Sequence, residues 1–191
     1  MLDFLDEMGF LNGSDIVSVD GINFNGRDNG AKYGRSLHGH EAFVLQLSIN
    51  GVSYAVMAAM SDDGFIAWTI YDGAVSGSHV AEFISTKVIP RLRPNQIILL
   101  DNAPNQSTPE VVDALMEKNR YNVPYCPELN PIERGFSLIR SWIRAHEHEY
   151  YSDPLGLINA AFHIYSIHGA LGNKCYHFFD LYRQNHLEWI N

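Results

Sequence analysis

The stretch "IILLDNAPNQ", residues 97–106, decides how this chain is read. Four large aliphatic residues in succession are the pattern of a strand buried on both faces, as in a sheet covered by helices. The run stops on a carboxylate, Asp101, followed by an amide, Asn102. A strand-end Asp commonly begins a turn, and it is also where a rigid sheet mounts chemistry on its carboxyl edge. Residues 96–100 are therefore predicted to form a central strand, and the neighbouring segments are read outward from it.

Upstream, "DIVSVDG" (15–21) reads as a short apolar strand ending on Asp20, and "GINFNGRDNGAKYGRSLHGH" (21–40) as a Gly- and Asn-rich loop carrying Lys32 and Arg35. Residues 41–49, 52–60 and 65–73 have strand character. Asn50-Gly51 and Asp63-Gly64 lie between them, so an antiparallel meander of three strands is expected. Residues 76–92 predict an amphipathic helix with Val80, Phe83, Ile84 and Val88 near one face. Downstream, "STPEVVDALMEKN" (107–119) predicts a helix with Thr108 as N-cap and Pro109 at its first position. "YNVPYCPELN" (121–130) reads as a short strand and loop. A long helix follows over 131–151, with Phe136, Ile139 and Ile143 as its core stripe, then another capped by Asp153 and Pro154. The aromatic-rich tail reads as helical from about residue 176. This order of elements fits a mixed sheet flanked by helices.

With 191 residues, 46% hydrophobic and 18% charged, the chain suffices for one domain with a sizeable core and has neither a disordered nor a fibrous composition. Cys126 and Cys175 lie far apart, with no metal-ligand spacing and no disulfide framework, which points to a reducing, intracellular setting. "MLDFLDEMGF" has acids where a secretory signal has bases. No apolar run reaches the roughly 18 residues of a membrane span, so no membrane association is expected. Lys+Arg 13 against Asp+Glu 22 gives a net charge of −9. A protein that holds a duplex through many phosphates shows a basic face. Any grip on nucleic acid must here be local, weak or supplied by a cation or partner.

Three acids stand out by location: Asp20, Asp101, and Glu133 inside "PELNPIERGF" (127–136). From Asp101 to Glu133 is 133 − 101 = 32 residues, room for one helix, one short strand and a loop returning to the same sheet edge. Two carboxylates about 4 Å apart repel by roughly 4 kcal/mol at an effective dielectric of about 20, so such a cluster needs protons or a divalent cation. Oxygen-only ligation favours Mg²⁺ or Mn²⁺ over zinc. Each acid also has a plainer reading. Asp20 and Asp101 suit turn starts. Asn130, Pro131 and Glu133 suit the N-cap, first and third positions of a helix, close to a capping box. The residues alone leave both readings open.

At "LLDNAPNQ" and "VPYCPELNPIERGFSLIRSWIRAH" (123–146) the sequence resembles the DDE catalytic domain of mariner-like transposases, related to the insertion-sequence transposases of bacteria. The resemblance spans roughly residues 15–149 and includes "SDDGFIAWTIYDGAVSGSHVAEFI" (61–84). It implies an RNase H-like fold, two Mg²⁺ (or Mn²⁺) ions, and DNA strand cleavage and joining. It also implies Asp101 and Glu133 as the second and third metal-binding acids, with Asn102 and Asn130 in support. Asp20, which ends the first predicted strand, is taken as the first acid. Asp6-Glu7 is its rival, but "DFLDEMG" lacks a preceding buried strand. The chain departs from the family pattern at Gly21, where Glu is common, and at Cys126, where Ser is usual. A His often found shortly after Asp-Asn-Ala is also missing, the positions being Asn105 and Gln106.

The expected architecture is thus an α/β, RNase H-like mixed sheet, three antiparallel strands plus parallel ones, flanked by helices. Residues 1–14 read as the remnant of an upstream linker helix, 15–150 as the catalytic domain and 151–191 as a helical extension packed on it. Arg134, Arg140 and Arg144, with Lys32 and Arg35, are candidate DNA contacts, although a solvated helix face is the better explanation of the three arginines. His146 and His148, about 200° apart on a helix, do not suit a shared zinc. The resemblance implies DNA as partner, namely transposon ends in a full-length form, and a nuclear location for a eukaryotic source; a homodimer is left open. The expected function is metal-dependent DNA strand cleavage and transfer without the N-terminal DNA-reading region. The alternative is a catalytically silent transposase-derived module that binds DNA or protein.

Overall fold

The computed structural model describes residues 12–25, 36–41, 53–100, 103–116, 120–122, 130–150, 152–167 and 175–176. The strands β1 (Ile16–Asn25), β2 (Ser53–Ser61), β3 (Gly64–Asp72), β4 (Ile97–Leu100) and β5 (Arg120–Asn122) form one sheet in the order β3-β2-β1-β4-β5. β1–β2 and β2–β3 are antiparallel, while β1–β4 and β4–β5 are parallel, as in the expected mixed sheet. All four side chains of β4 are buried. Ile97 and Leu99 face one hydrophobic cluster and Ile98 and Leu100 the other, so the unbroken aliphatic run is what a strand covered on both faces requires.

The helices are α1 (Gly77–Phe83), α2 (Pro109–Met116), α3 (Pro131–Ala145), α4 (Glu147–Tyr150) and α5 (Pro154–Ile167). Val80 and Phe83 of α1, with Val111 and Leu115 of α2, cover Val17, Val19 and Met57 on one sheet face. Ile132, Phe136, Ile139 and Ile143 of α3, with Ile158 and Phe162 of α5, cover Ile22, Phe24 and Met60 on the other. Each such fully buried aliphatic or aromatic side chain contributes about 1.5–3 kcal/mol, which fixes α3 against the sheet.

Two sequence expectations change here. β1 does not end on Asp20 but runs to Asn25, through residues expected in a loop. Ile22 and Phe24 are buried while Gly21 and Asn23 are exposed, and pairs from Ser18–Met60 to Asn25–Ser53 hold the strand against β2. Gly21 and Asn23, which suggested a loop, occupy its exposed positions, and Asn25 is half-buried at its end. Second, both edges of β2 are occupied, by β1 and β3, so the antiparallel trio is β1-β2-β3 and not the meander read from residue 41. Residues 42–52, where the first hairpin was expected, lie outside the described set. The β2–β3 hairpin forms as expected, with Gly64 at φ +114°.

Smaller differences follow local chemistry. The helix over 76–92 is α-helical only to Phe83, then continues as a π turn (Ile84–Val88) and a 3₁₀ turn (Ile89–Arg91). The long helix over 131–151 breaks at His146, whose ring stacks on Trp142 at 4.0 Å between centroids. α5 begins as expected: the Gly156 N–H donates to Asp153 Oδ1 at 2.9 Å. The chain beyond α5 is described only at Cys175 and Tyr176, both buried; the other tail aromatics lie outside the described residues. The Tyr176 hydroxyl donates to Met60 O at 2.6 Å and accepts from Ser18 N at 3.2 Å, inserting itself between β1 and β2.

Candidate functional site

β4 is shorter than β1. Among the described residues its parallel ladder runs from Ile16–Ile97 to Val19–Leu100, and β1 continues past it to Asn25. Alongside this part of β1, a notch holds a cavity of about 360 Å³, bordered by Asp20, Gly21, Asn23, Met57, Val75 and Gln106. Openings of this kind, beyond the carboxyl end of a parallel strand, are where open α/β sheets take ligands. Gly21 matters here: a Cβ at this position would approach Met57 Sδ at 3.2 Å, tighter than ordinary van der Waals contact.

Asp20 stands at the head of the notch, only 6% exposed. Its Oδ1 accepts from Gly21 N at 2.6 Å and from Gln106 Nε2 at 3.2 Å, and its Oδ2 accepts from Asn130 Nδ2 at 3.3 Å. Gln106 closes a 3₁₀ turn (Pro104–Gln106) after β4, pinned by its own N–H to Ala103 O at 2.8 Å. Asn130 is the N-cap residue of α3, as the sequence predicts, with Pro131 behind it. Its side chain does not cap the helix; it turns to Asp20, 110 residues away in sequence. The amide is oriented by chemistry: exchanging its nitrogen and oxygen would set Oδ1 against a carboxylate oxygen.

That contact brings the start of α3 to Asp20. Glu133, exposed in the first turn of α3, lies within one helical turn of the Asn130–Asp20 bond, and its N–H donates to Asn130 O at 3.2 Å. Asp101 and Asn102 lie outside the described residues, as do Lys32 and Arg35. By chain connectivity Asp101 is bonded to Leu100, whose partner in the ladder is Val19, the residue bonded to Asp20. Arg134, Arg140 and Arg144 are all exposed on α3. Arg140 and Arg144 are a turn apart, while Arg134 sits about 120° around the helix from Arg140. Arg134 also acts on Cys175, whose thiol burial pushes upward in pKa and the guanidinium charge pulls downward.

Among the described residues, a set without Asp101, no three His, Cys, Asp or Glu side chains form a cation site. The donor chemistry present nonetheless fits a hard divalent ion. Asp20 and Glu133 supply carboxylate oxygens, and Asn130 Oδ1 is buried with no hydrogen-bond partner among the described residues. The three donors named above to Asp20 are neutral, so they orient the carboxylate without cancelling its charge. Gln106 is not among the residues that the sequence singles out. Its only signal is that it stands near the place of the missing His.

The family model for DDE superfamily endonucleases matches residues 15–153. The fold is similar to that of a pre-cleavage Mos1 transpososome (TM-score 0.72, 15% identity, 96% of this chain and 58% of that one). It is likewise similar to the Mos1 mariner paired end complex with Mn (0.71, 16%, 96% and 58%). The Mos1 transposase catalytic domain with Raltegravir and Mg also matches (0.61, 14%, 96% and 87%). The chain thus spans 58% of the length of the first two. A search of curated proteins finds no match. The shared fold is the RNase H-like one, and with most of its length matched by the family model, the chain belongs to the DDE superfamily endonucleases.

Proposed function

We propose that this chain is the catalytic domain of a DDE transposase, cutting and joining DNA strands with divalent cations held by Asp20, Asp101 and Glu133. The observation that carries the reading is the Asn130–Asp20 hydrogen bond, which draws the start of α3, and with it Glu133, to the strand acid. The ladder pairs Val19 with Leu100, the residues bonded in sequence to Asp20 and Asp101. Two of the solved Mos1 structures named above are described with Mn or Mg, which supports a divalent ion of this size here.

Bound at these acids, Mg²⁺ or Mn²⁺ would activate the attacking water or 3′-hydroxyl and stabilise the leaving oxygen of an in-line phosphodiester displacement. The chain's own part is orientation. Asp20 is fixed within a strand, and its carboxylate is held through both oxygens. Glu133 sits in the first turn of α3, where the helix dipole favours a negative charge. Arg140 and Arg144, solvent-facing on the same helix, are placed to meet backbone phosphates.

The test is nicking of supercoiled plasmid in Mn²⁺ by the native chain, Asp101→Asn and Glu133→Gln. We expect conversion to open circles by the native chain and at least a hundredfold loss in either variant, given that electrostatic stabilisation of the transition state is at stake. Equal nicking by all three, or none by any, would leave the alternative of a silent module that binds DNA or protein.

A further inference from the structure

Asn130 occupies a helix N-cap yet makes no cap bond with its side chain, and Gln106 is a polar side chain only 3% exposed in a short turn. Burying an amide costs free energy unless its groups are hydrogen-bonded. Both side chains direct an N–H to the same carboxylate, one to each oxygen, from segments far apart in sequence. We infer that Gln106 and Asn130 are positioning residues, which hold the Asp20 carboxylate in one orientation for a divalent cation. The inference rests on the reading of Asp20 as a metal ligand.

Neutral donors suit this task better than Lys or Arg. An adjacent ammonium or guanidinium would hold the carboxylate but neutralise it, removing the attraction on which cation binding depends. An amide N–H fixes the oxygen and leaves the charge in place. Asn130 adds a second element, because its Oδ1 is buried without a hydrogen-bond partner among the described residues. A buried acceptor left unmatched is costly, and a hard cation or a water on one would satisfy it. The two amides enter from different elements, Gln106 from the turn after β4 and Asn130 from the start of α3, so the carboxylate cannot swing without breaking one bond.

The experiment measures Mn²⁺ binding to the full 191-residue chain by the electron paramagnetic resonance signal of free Mn²⁺, with thermal unfolding of every variant without metal. Asn130→Ser keeps a good N-cap but cannot reach Asp20. Gln106→Met keeps length without the donor, while Gln106→His keeps an N–H at similar reach. Groups that orient a ligand typically contribute 10–100-fold to metal affinity. We expect Asn130→Ser and Gln106→Met each to weaken Mn²⁺ binding by about tenfold or more, with Gln106→His within about threefold of the native chain. In an Asp20→Asn background the effects of Asn130→Ser and Gln106→Met should vanish, because the carboxylate through which they act is gone. If Asp20→Asn weakens Mn²⁺ binding but both single variants bind as the native chain does, the positioning role is overturned and the metal site stands. If Asp20→Asn leaves Mn²⁺ binding unchanged, both readings fall. Should Asn130→Ser not fold, the Gln106 pair and its double-variant cycle decide alone: a persistent Gln106→Met effect in the Asp20→Asn background overturns the inference.

Discussion

The Tyr176 hydroxyl takes the place of a ladder bond between Ser18 and Met60, two residues before Asp20 in β1. Tyr176→Phe leaves a buried N–H and a buried C=O unmatched, which should lower stability by about 1–3 kcal/mol in urea unfolding at neutral pH. Burial raises the phenol's pKa above its ordinary value of about 10. The folded state therefore keeps the proton longer than the unfolded chain does. The advantage is intact below about pH 10 and is lost as pH rises beyond it, where the unfolded phenolate is favoured. The stability gap between native chain and Tyr176→Phe should narrow between about pH 10 and 11, and a gap constant over that interval would refute the account. At this scale the sequence is informative about positions more than about contacts. Asn130 is legible as a helix start from Pro131 and Glu133, but the turn of its side chain toward Asp20 depends on a partner 110 residues away, which local pattern does not encode.

The hairpin β2–β3 shows how an element carries both local and distant constraints. Asp63-Gly64 marks the turn in the sequence, and Gly64 adopts φ +114°, a conformation that side-chain-bearing residues rarely enter. A Cβ there would also meet the carbonyl oxygen of Tyr165 in α5 at 2.6 Å. Gly64→Ala should therefore cost roughly 2–4 kcal/mol, seen as a fall in thermal midpoint, since backbone strain and a clash with a rigid helix add. Loss below about 0.5 kcal/mol would show that α5 can move aside. Elements whose evidence is local were legible: the β2–β3 turn, the aliphatic β4, the buried stripe of α3 and the Asp153 cap. β1 was only half legible, because Gly21, Asn23 and Asn25 resemble a loop until β2 is known to lie alongside. The alternation of Ile22 and Phe24 was the available signal.

On the scale of the whole molecule, a net charge of −9 sets the terms of any contact with DNA. On the proposed function, binding would concentrate on the few exposed cations and on divalent ions at the candidate acids. For a duplex oligonucleotide titrated by fluorescence anisotropy in Mg²⁺, Arg140→Ala with Arg144→Ala should weaken affinity and make the logarithmic salt slope less negative by about two, one phosphate per arginine. An unchanged slope would remove α3 from the DNA interface. Asp20 as a candidate acid was legible from its strand and the resemblance; which neutral side chains hold its carboxylate was not, since Gln106 carries no pattern of its own. The ten-residue length of β1 has a last consequence. Asp20 lies at the middle of a strand that its antiparallel neighbour grips on both sides of the acid, so it behaves as the fixed jaw of a vice. On the proposed function, any adjustment to a bound cation falls to the other jaw, the leading turn of α3. Amide hydrogen exchange should register this as slow, metal-independent exchange around Ile22 and faster, metal-sensitive exchange around Ile132 and Glu133.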